Sequence, residues 1–188
     1  MTSRALFIDR DGTLVHARHY PRRPEELVLH DRVARELASL SRAGMKVVLV
    51  SNQSGIARGY VSERDLAAMH AHLCERLEAD GARLDAIYWC PHAPADEGGA
   101  CDCRKPLPGM FVRAARELEL DLSRSWMVGD ILDDVEAAHR AGCRAVLVDR
   151  GTEDLAHVVA PRAPEHVARS TADALRFVAS VEALAHVA

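Results

Sequence analysis

No apolar run in the 188 residues approaches the ~20 needed to cross a bilayer; the clearest, Val47 to Val50, has the length of a strand. There is no basic excess either. With 24 Lys+Arg against 28 Asp+Glu and a net charge of −4, the chain lacks the electrostatic footprint of a nucleic-acid platform. Ala5-Leu6-Phe7-Ile8 passes straight into charged residues, without the long apolar region and cleavage site of a secretory leader, so a cytoplasmic protein without membrane partners is expected. Internal repeats and low-complexity tracts are missing. Five cysteines cannot all pair, and three of them cluster beside a histidine. That pattern suits a metal site in a reducing compartment better than a disulfide framework.

What is present is ordinary globular material. A composition of 48% hydrophobic and 28% charged residues excludes wholesale disorder. The length fits a single domain over residues 1–188, large enough to fold without disulfides.

Short apolar runs alternate with helical patterns, the signature of a parallel sheet covered by helices. Ala5–Ile8 reads as the first buried strand. A helix follows, with Asp31 as its cap, Val33, Leu37 and Leu40 on one face and Gly44 as its terminator. Val47–Val50 is the second strand. Ser62, with Asp65 three residues on, opens a helix striped by Leu66, Met69, Leu73 and Leu77. Leu84–Trp89 reads as a third strand. Residues 90–108, with four prolines and a Gly-Gly pair, form a loop long enough to be functional or tied down. A helix from Gly109 to about Leu120, a strand ending at Val128, a helix from Asp133 to Ala141 and a strand from Ala145 to Val148 complete the repeating pattern. Residues 150–170 are expected to wander over the surface before a last helix from Thr171 to about Leu184, so that the C-terminal part, about 150–188, is a surface segment and a helix.

In open parallel sheets ligands bind beyond the carboxyl ends of the strands. After the first strand stands Asp9-Arg10-Asp11-Gly12-Thr13; after the second, Ser51-Asn52-Gln53-Ser54-Gly55; after the fourth, Gly129-Asp130, with Asp133 and Asp134 close behind. Carboxylates gathered at one edge need a compensating cation. Hard oxygen ligands around a small cleft suit Mg²⁺.

Cys90-x-His92 and Cys101-x-Cys103 offer three thiolates and an imidazole separated by eight residues. This is a complete tetrahedral set for a structural Zn²⁺, with no open position for catalysis. It would order the 90–108 loop and place Arg104 and Lys105 beside a ligand. A redox pair of Cys101 and Cys103 is the poorer reading. Cys74 and Cys143 are expected to be small buried residues, the histidines other than His92 surface groups, and the basic stretch His16–Arg23 a solvated loop, with lining of the pocket mouth as the second reading.

The motifs Asp9-Arg10-Asp11-Gly12-Thr13-Leu14, Ser51 to Gly59, Cys101-Asp102-Cys103-Arg104-Lys105-Pro106 and Gly129-Asp130 resemble those of haloacid dehalogenase (HAD) superfamily phosphatases. The likeness spans roughly residues 5 to 150. Within that superfamily the chain is similar to the D-glycero-D-manno-heptose 1,7-bisphosphate phosphatases, with the histidinol-phosphate phosphatases next; Ser54 to Gly59 favours the heptose branch. Ser51 stands where many relatives carry Thr, and the hydroxyl is kept.

The resemblance implies a HAD-like Rossmannoid three-layer α/β/α sandwich. About 35 residues separate Asp11 from the second strand, too few for a large cap domain. It also implies roles. Asp9 would be the nucleophile that forms an aspartyl-phosphate, and Asp11 the general acid and base. Ser51 and Asn52 would hold phosphoryl oxygens, with Gln53 beside them at the substrate. Lys105 would orient Asp9 and neutralise the transferring group. Arg104 would grip a second phosphate. Mg²⁺ would be held by Asp9, the Asp11 carbonyl and Asp130, supported by Asp134 or its neighbour Asp133. A monomer acting on a small phosphorylated sugar, in nucleotide-activated heptose synthesis, is the implied function. Histidinol-phosphate or broader sugar-phosphate hydrolysis is the alternative. A zinc-stapled protein that binds phosphorylated ligands without turnover would have no need of Asp11, and a zinc-containing nucleic-acid module sits poorly with the acidic balance.

Overall fold

Alternation along two buried strands decides the layering. In β1 (Ala5–Ile8), Leu6 and Ile8 enter one core while Ala5 and Phe7 enter the other; in β2 (Lys46–Asn52), Val47 and Leu49 oppose Val48 and Val50 in the same way. A strand buried on both faces needs helices on both sides. The computed structural model, which describes residues 2–184, supplies them. Helices α1 (Val33–Arg42), α2 (Glu63–Ala79) and α5 (Thr171–Leu184) cover the Leu6 face, and α3 (Gly109–Leu118) and α4 (Leu132–Ala141) the Phe7 face. With β3 (Ala86–Cys90), β4 (Trp126–Gly129), β5 (Arg144–Val148) and β6 (His166–Ala168), the sheet runs β3-β2-β1-β4-β5-β6, every pair parallel. The result is a three-layer α/β/α sandwich.

The chain builds outward from β1 to β3, then returns to lay β4 on the other side of β1. The gap beyond the ends of β1 and β4 is therefore the topological switch point, where such sheets bind ligands. Asp9 and Asp130 directly follow these two strands.

Local signals explain most boundaries. Ser62 Oγ accepts from Asp65 N (3.1 Å) and the Asp65 carboxylate accepts from Ser62 N (3.2 Å), a reciprocal cap on α2. Asp31 does not cap α1. The chain enters that helix through Arg32 in a left-handed conformation (φ 63°), which leaves Asp31 one residue too early to reach the first turn. β3 begins at Ala86, because the Asp85 carboxylate accepts from Val47 N (2.8 Å) and caps the ladder there. The 150–170 segment is not wholly irregular: His166–Ala168 adds a sixth parallel strand against β5, three residues being too short to leave a pattern. Buried Glu182 anchors α5 by accepting from Arg4 Nη1 (2.6 Å), Trp126 Nε1 (2.8 Å) and Arg144 Nη2 (2.7 Å). Among the described residues no further domain lies between β1 and β2, and no helix is long and apolar enough to cross a membrane.

Candidate active site

Asp9 ends β1 almost fully buried, and its Oδ1 accepts from Lys105 Nζ at 2.6 Å. The same ammonium forms an ion pair with Asp134 Oδ1 at 2.5 Å and donates to Val50 O at 3.0 Å. Burial alone would favour the neutral amine of Lys105, but Asp134 and Asp9 outweigh it and hold the group charged. Carboxylate oxygens of Asp9, Asp130 and Asp134 all lie within 4.8 Å of one another. Burial, only partly offset by Lys105, raises Asp9 well above the ordinary carboxylate range, and the other acids add to this. Burial and Asp134 raise Asp130 to about 6.

Two glycines permit this crowding. A Cβ on Gly129 would meet Asp134 Oδ2 at 2.2 Å, and one on Gly12 would meet Asp130 Oδ2 at 2.1 Å. Thr13 Oγ1 donates to Asp130 Oδ1 at 3.0 Å. Three crowded carboxylates facing one ammonium leave negative charge in excess, and hard oxygen donors of this kind fit Mg²⁺. Asp133 is placed elsewhere: it is half-exposed and pairs with Arg162 (3.1 Å). Of the two adjacent acids, Asp134 belongs to the cluster.

Asp11 is held by neighbours that the sequence reading did not assign to it. Its Oδ2 accepts from Arg10 Nε (3.0 Å) and Gln53 Nε2 (2.9 Å) and forms an ion pair with Arg10 Nη2 at 2.7 Å, while its buried Oδ1 has no hydrogen-bond partner. Arg10, 1% exposed, also donates to Gln53 Oε1 (2.9 Å), and Gln53 Nε2 reaches Ser51 Oγ (2.8 Å). Gln53 thus bridges the second-strand hydroxyl to the first-strand acid. A charged residue between two motif aspartates was the available signal for Arg10.

The side-chain amide of Asn52 donates to Lys105 O (3.0 Å) and accepts from Lys105 N (3.0 Å). One N–H of that amide stays outside this pair.

The Cys/His loop assembles as its spacing predicts. Cys90 Sγ lies 3.4 Å from His92 Nδ1 and 3.7 Å from Cys101 Sγ, and Cys103 Sγ lies 3.3 Å from His92 Nδ1. All four ligand atoms fall within 4.8 Å of one another, and the thiols are free. A tetrahedral Zn²⁺ with bonds of about 2.3 Å to sulfur and about 2.0 Å to nitrogen spans ligand–ligand edges of about 3.8 and 3.5 Å. The donor set and its spacing fit that ion. Arg104 follows Cys103 directly, and its Nη1 donates to His92 O (3.3 Å).

A cleft of about 150 Å³ opens beside Asp11, lined by Arg18, His19, Tyr20, Gln53 and Gly55 among others. Residues 18–21 thus line the cleft, the second reading of the basic stretch, and Tyr20 bonds Arg58, which also pairs with Glu97 of the Cys/His loop. His70 corrects another expectation. It lies in the core beside Trp89, 6% exposed, because its helix position falls on the buried face of α2. A cavity of about 800 Å³ lies between Trp89 and α3, against the Cys/His loop, and Asp9, Asp11, Asp130 and Asp134 are not among its lining residues.

Residues 102–174 match the family model described as HAD-hydrolase-like. The chain is 43% identical over 156 residues to the D-glycero-beta-D-manno-heptose-1,7-bisphosphate 7-phosphatase of Haemophilus ducreyi, covering 80% of this chain and 86% of that protein. It is 45% identical over 158 residues to the D-glycero-D-manno-heptose-1,7-bisphosphate 7-phosphatase of Thermosynechococcus vestitus, covering 80% and 81%. Among solved structures, the D,D-heptose 1,7-bisphosphate phosphatase of B. bronchiseptica, complexed with magnesium and phosphate, superposes with a TM-score of 0.84 at 35% identity, over 95% of this chain and 99% of that one.

Proposed function

The chain belongs to the heptose-1,7-bisphosphate 7-phosphatase family of HAD-like hydrolases, and from that membership we propose how its own residues remove the 7-phosphate of D-glycero-D-manno-heptose 1,7-bisphosphate. The observation that carries the reading is the buried Asp9–Lys105–Asp134 array at the β1/β4 switch point, with Asp11 two residues from Asp9 at the cleft.

Lys105 holds one oxygen of Asp9 and leaves the other to attack phosphorus. As that P–O bond forms, the bond to the sugar's O7 breaks, and the departing oxygen takes a proton from Asp11. Arg10 and Gln53 hold the Asp11 carboxyl at the cleft for this transfer. Asp11 then accepts a proton from the water that attacks the aspartyl-phosphate, releasing phosphate and restoring Asp9. Ser51 supplies a hydroxyl to the phosphoryl oxygens. Asn52 serves the same group through Lys105, whose backbone it fixes, and Gln53 through Ser51 and Asp11. Arg104 takes the 1-phosphate.

Asp9, the Asp11 carbonyl and Asp130 would hold Mg²⁺, with Asp134 behind them; bound there, the ion offsets charge on the phosphoryl oxygens. Cys90, His92, Cys101 and Cys103 would hold a structural Zn²⁺ that keeps Arg104 and Lys105 in place. The proposal treats the chain as one phosphatase domain working as a cytoplasmic monomer on a small phosphorylated sugar, in the making of nucleotide-activated heptose.

Phosphate release should be compared across both anomers of the heptose bisphosphate, histidinol phosphate and fructose 1,6-bisphosphate. Highest kcat/KM is expected on a heptose bisphosphate. A preference for histidinol phosphate would overturn the substrate assignment and leave the chemistry standing.

A further inference from the structure

Two carbonyls of the nucleophile turn are gripped by residues far along the chain. Arg150, two residues past β5, donates from Nε to Gly12 O at 2.9 Å. Thr171, the first residue of α5 and 1% exposed, donates from Oγ1 to Thr13 O at 2.7 Å. The two grips are joined, because Arg150 Nη2 donates to Thr171 Oγ1 at 2.9 Å. The same Nη2 lies 3.0 Å from His30 Nε2, which must then be the acceptor. A neutral ring suits that role: burial first, then the charge of Arg150, lowers His30 to about 4.

This turn has little freedom to spare. Gly12 adopts φ 89°, has no room for a Cβ beside Asp130 Oδ2, and directly follows the Asp11 carbonyl. Thr13 presents its hydroxyl to Asp130. The Asp11 carbonyl shares its peptide plane with Gly12 N, which donates to Val15 O at 2.9 Å, and the two planes gripped by Arg150 and Thr171 are the next along the same turn. Arg150 reaches them from a separate cleft of about 400 Å³, lined also by His16, His30 and Arg176, and not from the cleft beside Asp11. Arg150 serves Gly12 O from Nε and both Thr171 Oγ1 and His30 Nε2 from Nη2, two nitrogens held apart in one rigid plane, a spread of donors that the single nitrogen of a lysine does not reproduce.

The geometry points to Arg150 as a positioning residue for the phosphatase reaction: coupled to Thr171, it locks the Asp9–Leu14 turn so that the Asp11 carbonyl and Asp130 are presented together to Mg²⁺. The inference rests on the Mg²⁺-dependent phosphatase reading given above.

Its test uses the full chain, as wild type and as Arg150→Met, Arg150→Lys, Thr171→Val and Thr171→Ser. Mg²⁺ affinity is read by calorimetry without substrate, and kcat and KM are read separately on the bisphosphate at saturating Mg²⁺. Arg150→Met should weaken Mg²⁺ binding and lower kcat by about tenfold or more each, because small displacements of reacting groups are costly. KM should stay within about twofold, since no substrate contact is lost. Arg150→Lys should not restore either value. Thr171→Val should follow Arg150→Met, whereas Thr171→Ser, which keeps the hydroxyl, should match wild type. A folded Arg150→Met protein with Mg²⁺ affinity and kcat unchanged overturns the inference, whatever its melting temperature. If that variant does not fold, the threonine pair decides, and equal Mg²⁺ affinity in the Val and Ser forms is the contrary result. A wild type that neither binds Mg²⁺ nor releases phosphate sinks the phosphatase reading itself; an active wild type with indifferent variants sinks this inference alone.

Discussion

Asn52 and Lys105 are locked to each other by a reciprocal pair of hydrogen bonds, side-chain amide to backbone, both at 3.0 Å. The end of β2 thus fixes the residue whose ammonium holds Asp9, 53 positions later in the chain. Asn52→Ala should cost about 10- to 100-fold in kcat through displacement of Lys105, with far-UV circular dichroism unchanged. Asn52→Asp should be no better, because a carboxylate cannot donate to the Lys105 carbonyl. Steady-state kinetics check this, and near-normal kcat in the alanine variant would show that Lys105 holds its place unaided.

Arg104 should matter more for a bisphosphate than for a simple monoester. It follows Cys103 and is tied to His92 O, so its guanidinium is presented by the Cys/His loop and not by the reacting centre. Arg104→Ala should lower kcat/KM on the heptose bisphosphate by about tenfold or more, while activity on an aryl phosphate changes little. Equal losses on both substrates would place Arg104 at the transferring phosphate.

The Cys/His loop should prove dispensable to the sheet but not to catalysis. Cys101→Ser or Cys103→Ser should lower bound zinc and kcat together, because the loop that ends in Arg104 and Lys105 loses its tether. Secondary structure should persist, since the two cores draw most of their packing from strands and helices outside the loop. Metal content measured beside kinetics on the same samples decides the point. Full activity in a zinc-free, Mg²⁺-replete protein would contradict it.

His70 makes stability depend on pH. Burial, then the charge of Arg10, lowers its pKa to about 4, against about 6.5 in an unfolded chain. Between these values the unfolded state binds more protons than the folded one, so stability falls as pH drops through that window. Because the ring's buried Nε2 has no partner, His70→Phe should keep the packing and flatten the pH dependence, by on the order of 3 kcal/mol at pH 4. Urea titrations of both proteins at pH 7 and pH 4 measure this; an unchanged acid limb would mean that His70 does not titrate on unfolding.

The parts of this molecule legible in its sequence are those fixed by local pattern. Val47–Val50 could only be buried, Ser62 and Asp65 sit at capping-box spacing, and two C-x-C/H pairs eight residues apart already specify a tetrahedral set. The parts that were not legible depend on partners distant in the chain. Nothing near Asn52 signals that its amide faces Lys105, and nothing near Asp133 and Asp134 tells which acid turns inward; that follows from Gly129 leaving room for Asp134. β6 escaped notice because three residues carry no periodicity, and its stability comes from Val146–Val148 of the neighbouring strand. Arg10 and His70 are buried polar residues whose burial the tertiary fold imposes, against their usual place at the surface.

The most direct test follows the two phosphates of D-glycero-D-manno-heptose 1,7-bisphosphate by ³¹P NMR, with the Mg²⁺-replete protein and with its Asp9→Asn variant. The wild type should remove the C7 phosphate resonance and raise inorganic phosphate while the anomeric phosphate remains; Asp9→Asn should leave both esters intact. Loss of the anomeric phosphate first, or undiminished turnover in Asp9→Asn, would contradict a 7-phosphatase that works through Asp9.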